Sequence, residues 1–396
     1  MIVLSVNAGS SSLKFTAYKM PEEEVLISGT FERIGIDGGF YTIKINGEKI
    51  KKEKDLPNHE VAVNTLLDEL LLNKVIKSFD EIEAIGHRVV HGGEKYTKSV
   101  IVDDEVKKAI RDLSDLAPLH NPANLMGIET FCKLLPNAKN VAVFDTAYHQ
   151  TMPPSSYIYP VPYEWYTKYG VRKYGFHGTS HRYINNKIQE ILGRKDLKVI
   201  SCHLGNGGSL TAIKDGKVID TSLGFTPNAG LMMGTRSGGI DLNIIPYVVK
   251  KSGYNLEKIV DDLNKKSGFL GVSGISSDAR DIDKGIAEGN TRCILAEEIY
   301  EGKVIRYLAN YFVELGGADV ICFAGGIGEN AVDTRGNIVR KLECLGVKLD
   351  EDANKVHGEL RKISTDDSKV LCYVIPTDEE VMIARDTYDL VHDERK

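Results

Sequence analysis

Two short turns in this 396-residue sequence carry the side chains best suited to binding phosphate. The first, NAGSSSLKF, offers an amide, serine hydroxyls and one ammonium group, from Asn7, Ser10, Ser12 and Lys14. The second, HLGNGG, begins at His203 and continues through Leu204, Gly205, Asn206 and Gly207. Hydroxyls and free backbone amides in a tight turn bind anions, and glycines let a phosphate approach the backbone. Both turns therefore predict a polyphosphate site in which Lys14 neutralises charge.

A third glycine-rich segment, FAGGIGENA, follows a predicted buried strand from Val320 to Phe323. The pattern G-x-G-x-x-A is satisfied by Gly326, Ile327, Gly328, Glu329, Asn330 and Ala331. Asp350 lies about 20 residues further on, as in dinucleotide-binding dehydrogenases, which are therefore one interpretation. Such a fingerprint normally opens its domain, whereas this one comes late. We favour a glycine-walled adenosine pocket with Glu329 and Asn330 near the base or the ribose.

The composition is that of a folded protein without bulk attraction to polyanions. Hydrophobic residues make up 42% and charged residues 27% of the chain, and the net charge is -6. An acidic balance gives no electrostatic reason to bind nucleic acid or an anionic membrane. No apolar run approaches the roughly 18 residues of a membrane span, and no signal-peptide pattern follows Met1. We expect a cytoplasmic protein with neither a nucleic-acid nor a membrane partner.

Strand-like and helix-like patterns alternate along the chain, which predicts an α/β architecture. Three strands over 2–6, 13–18 and 25–31 form a meander, and a helix covers 61–76. Buried strands follow over 84–90 and 141–144. The segment 151–162 contains four of the twelve prolines and no helical pattern, so we place a domain boundary near residue 148.

The chain contains an internal repeat. A strand over 199–203, the HLGNGG turn, and strands over 209–214 and 218–222 form a second three-strand meander. VLSVNAGSSSL from Val3 aligns with VISCHLGNGGSL from Val199, matching Ser5 with Ser201 and Gly9 with Gly205. After one extra residue, Ser12 and Leu13 match Ser209 and Leu210. Two domains built on one plan are one interpretation; two unrelated hairpins with common turn residues are the other.

Taken together, the motifs resemble those of the acetate kinase family, within the superfamily of sugar kinases, heat-shock ATPases and actin. The resemblance covers essentially the whole chain, through NAGSSSLKF, GHRVVHGG, APLHNP, FDTAYHQTMP, YGFHGTSH, HLGNGGSL, MGTRSG, SSDARD, FAGGIGEN and IPTDEE. It implies two related ribonuclease-H-like domains with an active-site cleft between them. The expected domains are 1–148 with a C-terminal helix at about 381–396, which bind the acyl substrate and phosphate, and 149–380, which bind nucleotide and dimerise.

The resemblance implies reversible transfer of the γ-phosphoryl group of ATP to acetate, giving acetyl phosphate and ADP. It also implies Mg²⁺, with Mn²⁺ as a substitute, and a homodimer. Acetate is already ionised near neutral pH, so the nucleophile needs no base. The difficulty is instead the approach of an anion to a polyanion, for which arginines, a histidine and a metal are the expected tools.

Family positions map onto this sequence residue by residue. Arg88 matches the arginine that binds the acetate carboxylate, and Arg236 the one that binds the transferring phosphoryl group. His177 matches the transition-state stabiliser, and Asp145 the catalytic acid or base. Because acetate needs no deprotonation, we expect Asp145 to orient Arg88 or a metal-bound water. Asn7 and Glu379 match the positions associated with magnesium.

The nucleotide and the methyl group also have matching positions. Asp278, Ala279 and Arg280 resemble a nucleotide-binding turn, and Ser277 is the expected N-cap of the next helix. The apolar patch that receives the acetate methyl group in this family is matched by Val90, Leu119, Phe176 and Pro227. One methylene contributes only about 1–3 kcal/mol, so propionate is an alternative substrate. A different class, an ATP-gated interaction protein of the actin or heat-shock type, would not need Arg88, Asp145, His177 and Arg236.

Overall fold

The computed structural model describes residues 1–394, which divide into two compact units. The first unit comprises Met1–Tyr148 and the C-terminal segment that begins at Asp378, and the second comprises His149–Thr377. Each unit contains one mixed sheet covered by helices, so the predicted α/β class is confirmed. No helix within residues 1–394 is both long enough and apolar enough to cross a membrane.

The first unit is built around eight strands. These are β1 (Ile2–Ala8), β2 (Ser12–Lys19), β3 (Glu24–Glu32), β4 (Phe40–Ile45), β5 (Glu48–Glu53), β6 (Ile82–Val89), β7 (Val100–Ile101) and β8 (Lys139–Phe144). Its helices are α1 (His59–Leu72), α2 (Asp104–Asp112), α3 (Asn121–Leu134) and a C-terminal helix (Glu379–Glu394). Short 3-10 helices span Phe79–Glu81 and Leu113–Asp115, and a third, Ala147–Thr151, continues into the second unit.

The sheet of the first unit has the order β5-β4-β3-β2-β1-β6-β8-β7. The predicted three-strand meander is present as β1 to β3, and β4 and β5 extend it. The helix predicted over 61–76 ends earlier, at Leu72, because Asn73 caps it with a side-chain hydrogen bond to the Glu69 carbonyl (2.8 Å). The C-terminal helix packs so closely on β6 that a β-carbon at Gly86 would lie 2.2 Å from Thr387 Oγ1.

The second unit has six strands and ten α-helices. The strands are β9 (Lys198–Leu204), β10 (Gly208–Lys214), β11 (Lys217–Thr221), β12 (Val320–Ala324), β13 (Arg361–Lys362) and β14 (Leu371–Val374). The helices are α4 (Pro154–Tyr157), α5 (Tyr163–Tyr169), α6 (Gly178–Leu192), α7 (Ile244–Ser252), α8 (Leu256–Lys265), α9 (Gly268–Ser273), α10 (Ala279–Ala287), α11 (Thr291–Glu314), α12 (Gly325–Asn330) and α13 (Val332–Lys341). Glu343–Leu345 and Ala353–Lys355 are 3-10 helices.

The two sheets repeat one strand order. The second runs β11-β10-β9-β12-β14-β13, which corresponds to β3-β2-β1-β6-β8-β7 in the first. β1 pairs antiparallel with β2 and parallel with β6. In the same way, β9 pairs antiparallel with β10 and parallel with β12. The repeat seen in the sequence is therefore a repeat of architecture.

One part of the predicted alignment is wrong. Asn7 lies opposite Lys14 in the β1–β2 ladder, and the equivalent His203 lies opposite Ser209 in the β9–β10 ladder. Lys14, and not Ser12, is thus the counterpart of Ser209. The first turn is one residue longer than the second, and the serine-rich sequence disguised that difference.

Candidate active site

An ion pair between Arg88 and Asp145 forms the centre of the first unit's polar site. Arg88 lies on β6, and Asp145 directly follows β8, the parallel neighbour of β6. The Arg88 guanidinium donates from Nε to Asp145 Oδ1 (2.9 Å) and from Nη2 to Oδ2 (2.7 Å). Partial burial alone would lower the pKa of Arg88, but the Asp145 and Glu379 carboxylates together raise it. Arg88 is therefore a permanent cation held in a fixed orientation.

A small cavity of about 110 Å³ adjoins this pair. Its walls combine carboxylates, cations and neutral oxygen donors, namely Ser5, Asn7, Lys14, Arg88, Glu379 and Glu380, with Ile383. Lys14 and Glu380 form an ion pair, and Glu379 Oε2 lies 3.9 Å from Arg88 Nε. Burial raises the pKa of Glu379, an effect that Arg88 opposes. Neither Glu379 Oε2 nor the buried Ser5 hydroxyl has a hydrogen-bond partner within residues 1–394.

These oxygens fit a magnesium ion that keeps most of its water. Mg²⁺ prefers carboxylate, carbonyl and water oxygens and is commonly held by one or two carboxylates. The unpartnered Glu379 oxygen and the Asn7 amide supply such donors on the cavity wall. No group of three or more His, Cys, Asp or Glu residues suited to a metal occurs within the described range. These residues would therefore hold a partly hydrated ion rather than surround it with protein ligands alone.

The serine-rich turn connects β1 to β2. Gly9 donates its backbone N–H to the Ser12 carbonyl (2.9 Å), which closes the turn, and Ser10 and Ser12 are exposed. A β-carbon at Gly9 would lie 2.7 Å from Ser12 Oγ. The hydroxyls of Ser10 and Ser12 are therefore accessible to an anion.

The apolar patch predicted for the methyl group has two members in this unit. Val90 is buried, and its backbone N–H donates to Asn124 Oδ1 (3.1 Å), which fixes the chain just after β6. Leu119, in contrast, is 65% exposed in the turn before α3. Val90 is thus buried with its backbone held in place, whereas Leu119 is exposed.

In the second unit, three predicted nucleotide segments meet around a cavity of about 680 Å³. The lining comes from the β9–β10 turn, the start of α10, and α12 with the residue after it. It comprises Gly205, Asn206, Ser277, Asp278, Ala279, Arg280, Asp283, Gly326, Ile327, Asn330 and Ala331. This volume lies within the range of small-molecule and cofactor sites, roughly 300–1,000 Å³.

Asp278 is the N-cap of α10, so the prediction of Ser277 as the cap is wrong. Asp278 Oδ1 accepts a hydrogen bond from the Arg280 backbone N–H (2.9 Å) and another from Arg280 Nε (3.0 Å). These hydrogen bonds lower the pKa of Asp278 to about 2. Ser277, the residue before this cap, lines the cavity.

Asp283, which no sequence motif singled out, also lines this cavity. It lies four residues after Ala279 on α10, and residues at that spacing share a helix face. Burial and the nearby Asp333 and Asp278 raise its pKa. The i, i+4 spacing from Ala279 is the sequence feature from which Asp283 could have been predicted as a lining residue.

Two residues of the GGIGEN segment are turned toward the protein. Glu329 Oε1 accepts hydrogen bonds from the backbone N–H groups of Gly325 (2.8 Å) and Thr377 (3.1 Å). The Gly328 carbonyl accepts from Arg335 Nη1 (2.9 Å). Glu329 thus stabilises the turn, whereas Gly326, Ile327 and Asn330 line the cavity. Asp350, the acid of the dehydrogenase interpretation, caps its own turn by accepting from two backbone N–H groups, at residues 352 and 353.

The β9–β10 turn and α12 approach each other through backbone atoms. Leu204 is buried in the core, and a β-carbon at Gly325 would lie 2.7 Å from the Leu204 carbonyl oxygen. Gly325 also has a φ of +76°, which only glycine adopts readily. This close approach brings α12 against the turn 205–207.

His177 and Arg236 converge on Gly207. A β-carbon there would lie 3.5 Å from His177 Nε2 and 3.6 Å from Arg236 Nη1. Arg236 also donates to the Pro227 carbonyl (3.1 Å), and burial lowers its pKa. Phe176, the residue before His177, is 2% exposed, and the His177 and His203 rings lie 4.3 Å apart. A cation and an imidazole thus flank the glycine at which a phosphate could approach.

Known proteins match this chain over nearly its whole length. The sequence profile of the Acetokinase family matches residues 2–385. The acetate kinase of Geobacillus sp. (strain WCH70) is 55% identical over 392 residues, covering 98% of this chain and 99% of that protein. The acetate kinase of Bacillus subtilis (strain 168) is 54% identical over 390 residues, with the same coverage.

Solved structures agree. The crystal structure of Porphyromonas gingivalis acetate kinase superposes with a TM-score of 0.94 at 46% identity, over 98% of this chain and 99% of that chain. A propionate kinase from Francisella tularensis superposes with a TM-score of 0.93 at 41% identity, with the same coverage.

The fold and the two polar sites define a phosphotransferase. More specifically, the chain belongs to the acetokinase family and is an enzyme of the acetate kinase type. The predicted family, fold class and enzyme class are confirmed, and the dehydrogenase interpretation is wrong.

Proposed function

We propose that this enzyme transfers the γ-phosphoryl group of ATP directly to acetate. An acetate oxygen forms a bond to the γ-phosphorus while the bond from that phosphorus to the β–γ bridging oxygen breaks, giving acetyl phosphate and ADP. No proton moves in this step, and the reverse reaction uses the same groups. The observation that carries the proposal is the bidentate Arg88–Asp145 pair.

Arg88 would bind the acetate carboxylate. Its Nε and Nη2 atoms are engaged by Asp145, and Nη1 has no hydrogen-bond partner within residues 1–394. A guanidinium binds a carboxylate through charge-assisted hydrogen bonds, and its orientation here is fixed by the buried Asp145. Asp145 would therefore orient Arg88, a role that the 2.7 Å and 2.9 Å contacts support.

Magnesium would bind at Asn7 and Glu379, in the cavity that also contains Lys14. When bound, the ion would neutralise phosphate charge and polarise the transferred group. The surrounding charged side chains are Asp145, Glu379 and Glu380 against Arg88 and Lys14, three negative and two positive charges. This small negative excess favours a divalent cation over a second anion.

The nucleotide would occupy the 680 Å³ cavity of the second unit, with its adenosine against Ile327, Asn330 and the start of α10. Its phosphates would extend along the 205–207 turn toward His177 and Arg236. Both groups donate hydrogen bonds, and fixed donors stabilise charge on the equatorial phosphoryl oxygens. The second turn thus holds nucleotide, and Ser10, Ser12 and Lys14 hold the outgoing phosphoryl group.

Substrate selection by chain length should be graded. Val90 and Phe176 are buried, and Pro227 is partly buried, but Leu119 is 65% exposed. The similarity to a propionate kinase supports propionate as a second substrate. We infer that acetate is preferred and propionate is used more slowly.

A hydroxylamine trap tests the reaction. The enzyme with Mg-ATP and acetate should give acetohydroxamate, and propionate should give less of its hydroxamate. Equal silence with acetate, propionate and butyrate would exclude an acyl kinase and favour the ATP-gated interaction protein. Omission of Mg²⁺ should abolish the signal.

We further propose a cytoplasmic homodimer that forms through the second unit. Large apolar side chains are exposed on and around α7 and α8: Ile240, Leu242, Ile244, Tyr247, Tyr254, Leu256 and Val260. A concentration of exposed apolar side chains on neighbouring elements is typical of an interface. Sedimentation should give a dimer mass, and Leu242→Asp with Tyr247→Asp should give a monomer. Leu72→Asp, which is equally exposed on the first unit, is the control; a monomeric wild-type protein would contradict the proposal.

A further inference from the structure

A row of buried hydroxyl and imidazole groups lies between α6 and the sheet of the second unit. Successive strand residues point to opposite faces, so Cys202 and Leu204 enter the apolar core while Ser201 and His203 face the other side. Ser209 and Thr211 of β10 lie opposite His203 and Ser201 in the ladder and share that face. Ser201, Ser209 and the α6 residue His181 are fully buried.

Three of these residues, together with His177, form a continuous hydrogen-bonded chain that ends at the candidate active site. Ser201 Oγ lies 2.8 Å from His181 Nδ1, and His181 Nε2 lies 2.8 Å from Ser209 Oγ. Ser209 Oγ lies 2.9 Å from His177 Nδ1. We call Ser201, His181, Ser209 and His177 the histidine relay.

The direction of the hydrogen bonds follows from the buried end. Within residues 1–394, the Ser201 side chain has one hydrogen-bond partner, His181 Nδ1. A buried hydroxyl hydrogen without an acceptor is unfavourable, so Ser201 donates to Nδ1. The opposite direction would leave that hydrogen unsatisfied.

His181 carries the direction onward because it is neutral. Burial, together with the nearby His149 and His203, lowers its pKa well below the ordinary value. Its single hydrogen therefore lies on Nε2 and is donated to Ser209. The Ser209 hydroxyl hydrogen is then donated to His177 Nδ1.

We propose that the histidine relay fixes His177 as a neutral imidazole whose hydrogen lies on Nε2. Ser201, His181 and Ser209 are positioning residues that act through His177. The meaning of this tautomer for catalysis rests on the proposed phosphoryl transfer, whereas the tautomer itself does not.

The outer edge of His177 supports the neutral form. Nε2 faces the position beside Gly207 that Arg236 Nη1 also approaches, and the His203 ring packs on the imidazole. A second cation next to Arg236 would be repelled. The relay thus presents an N–H donor next to a guanidinium without uptake of a proton. A phosphoryl oxygen there would meet the same donor over a wide pH range.

The tautomer can be read without substrate. Protein labelled with ¹⁵N-histidine, free of nucleotide and acetate, is examined by long-range ¹H–¹⁵N NMR from about pH 6 to about pH 8, and His177→Asn assigns the signals. We expect Nδ1 of His177 without a proton and Nε2 with one. A protonated Nδ1, or a doubly protonated ring in this range, would overturn the proposal. Failure of acyl phosphate formation would leave this result untouched, so the two proposals fail separately.

Variants test the relay itself. Ser209→Ala removes the donor to Nδ1, so the midpoint of His177 titration should rise by roughly half to one pH unit, the value of one hydrogen bond. Thr211→Val removes a neighbouring buried hydroxyl that contacts His149 and Thr221, and it should leave the His177 signals in place. His181→Gln keeps a donor toward Ser209 and should retain the wild-type tautomer. An unchanged His177 titration in Ser209→Ala would contradict the relay; if that variant does not fold, the wild-type spectrum decides.

Discussion

Asp145 and Arg88 meet through two parallel hydrogen bonds of 2.9 Å and 2.7 Å, at the ends of two adjacent parallel strands. Asp145 is 1% exposed, so the contact is desolvated and well defined. The pair fixes the plane of the guanidinium, and in our account that plane receives the acetate carboxylate.

Asp145→Asn should separate an orienting role from a proton-transfer role. The amide keeps the shape but loses the charge, and breaking a buried ion pair costs about 3–5 kcal/mol. We expect kcat/KM for acetate to fall at least about 100-fold, mainly through KM, with no new pH dependence. Asp112→Asn, at an exposed pair with Lys108, is the control. A loss confined to kcat, with an altered pH profile, would indicate a base instead.

Gly207→Ala should fold normally and lose activity. Its added β-carbon would meet His177 and Arg236 at 3.5–3.6 Å, which is ordinary van der Waals contact, so no strain arises in the free protein. The methyl group would occupy the place where we expect a phosphate oxygen. Turnover should fall strongly at an unchanged melting temperature. Gly302→Ala, in open space on α11, should stabilise the helix by up to about 1 kcal/mol and leave turnover intact. Wild-type turnover in Gly207→Ala would remove the phosphate from this turn.

Arg335 should be needed to hold the nucleotide segment. It is 1% exposed and donates to Asn354 Oδ1 (2.8 Å) and to three carbonyls, including that of Gly328, with no carboxylate partner in its unit. Burial lowers its pKa to about 10. Arg335→Met strands these acceptors, so the free energy of unfolding should fall by about 3 kcal/mol, and KM for ATP should rise. Arg340→Met, at the exposed Glu351 pair, should cost less than about 1 kcal/mol. Equal losses in the two variants would refute this role.

Glu297 should make stability depend on pH. Burial raises its pKa to about 7, against an ordinary value of 4.5, although Thr334 Oγ1 donates to it at 2.6 Å. The folded protein therefore binds the proton more tightly, and stability falls as pH rises from about 4.5 to about 7, by up to about 3 kcal/mol. Glu297→Gln should remove this component from urea titrations across that range. Glu298→Gln, at an exposed neighbour, should not. Parallel pH curves for wild type and Glu297→Gln would contradict the prediction.

Much of the site could be predicted from the sequence because its residues belong to strand-to-turn motifs. A buried strand followed by glycines and hydroxyls specifies both a turn and its chemistry, and residues 205–206, 326–327 and 330 of these turns line one cavity. The direction in which a side chain points could not be predicted in the same way. Glu329 turns inward because its carboxylate accepts hydrogen bonds from the backbone N–H groups of both Gly325 and Thr377, and Thr377 lies 48 residues away in the chain.

Other features of the site depend on the pairing register of neighbouring strands, which matching residue types in two sequence segments does not reveal. Ser12 and Ser209 looked equivalent, yet the ladders pair Lys14 with Asn7 and Ser209 with His203. The histidine relay has the same origin, since Ser201 and Ser209 face His181 only because β9 and β10 pair in one register. The positions of these serines in the sequence do not indicate that they share a contact with His181.

The most direct test of the central claim is ³¹P NMR of the enzyme with Mg-ATP, with and without acetate. We expect acetyl phosphate and ADP in equal amounts when acetate is present, and neither product when it is absent. Conversion of ATP to ADP and inorganic phosphate at a rate independent of acetate would contradict it.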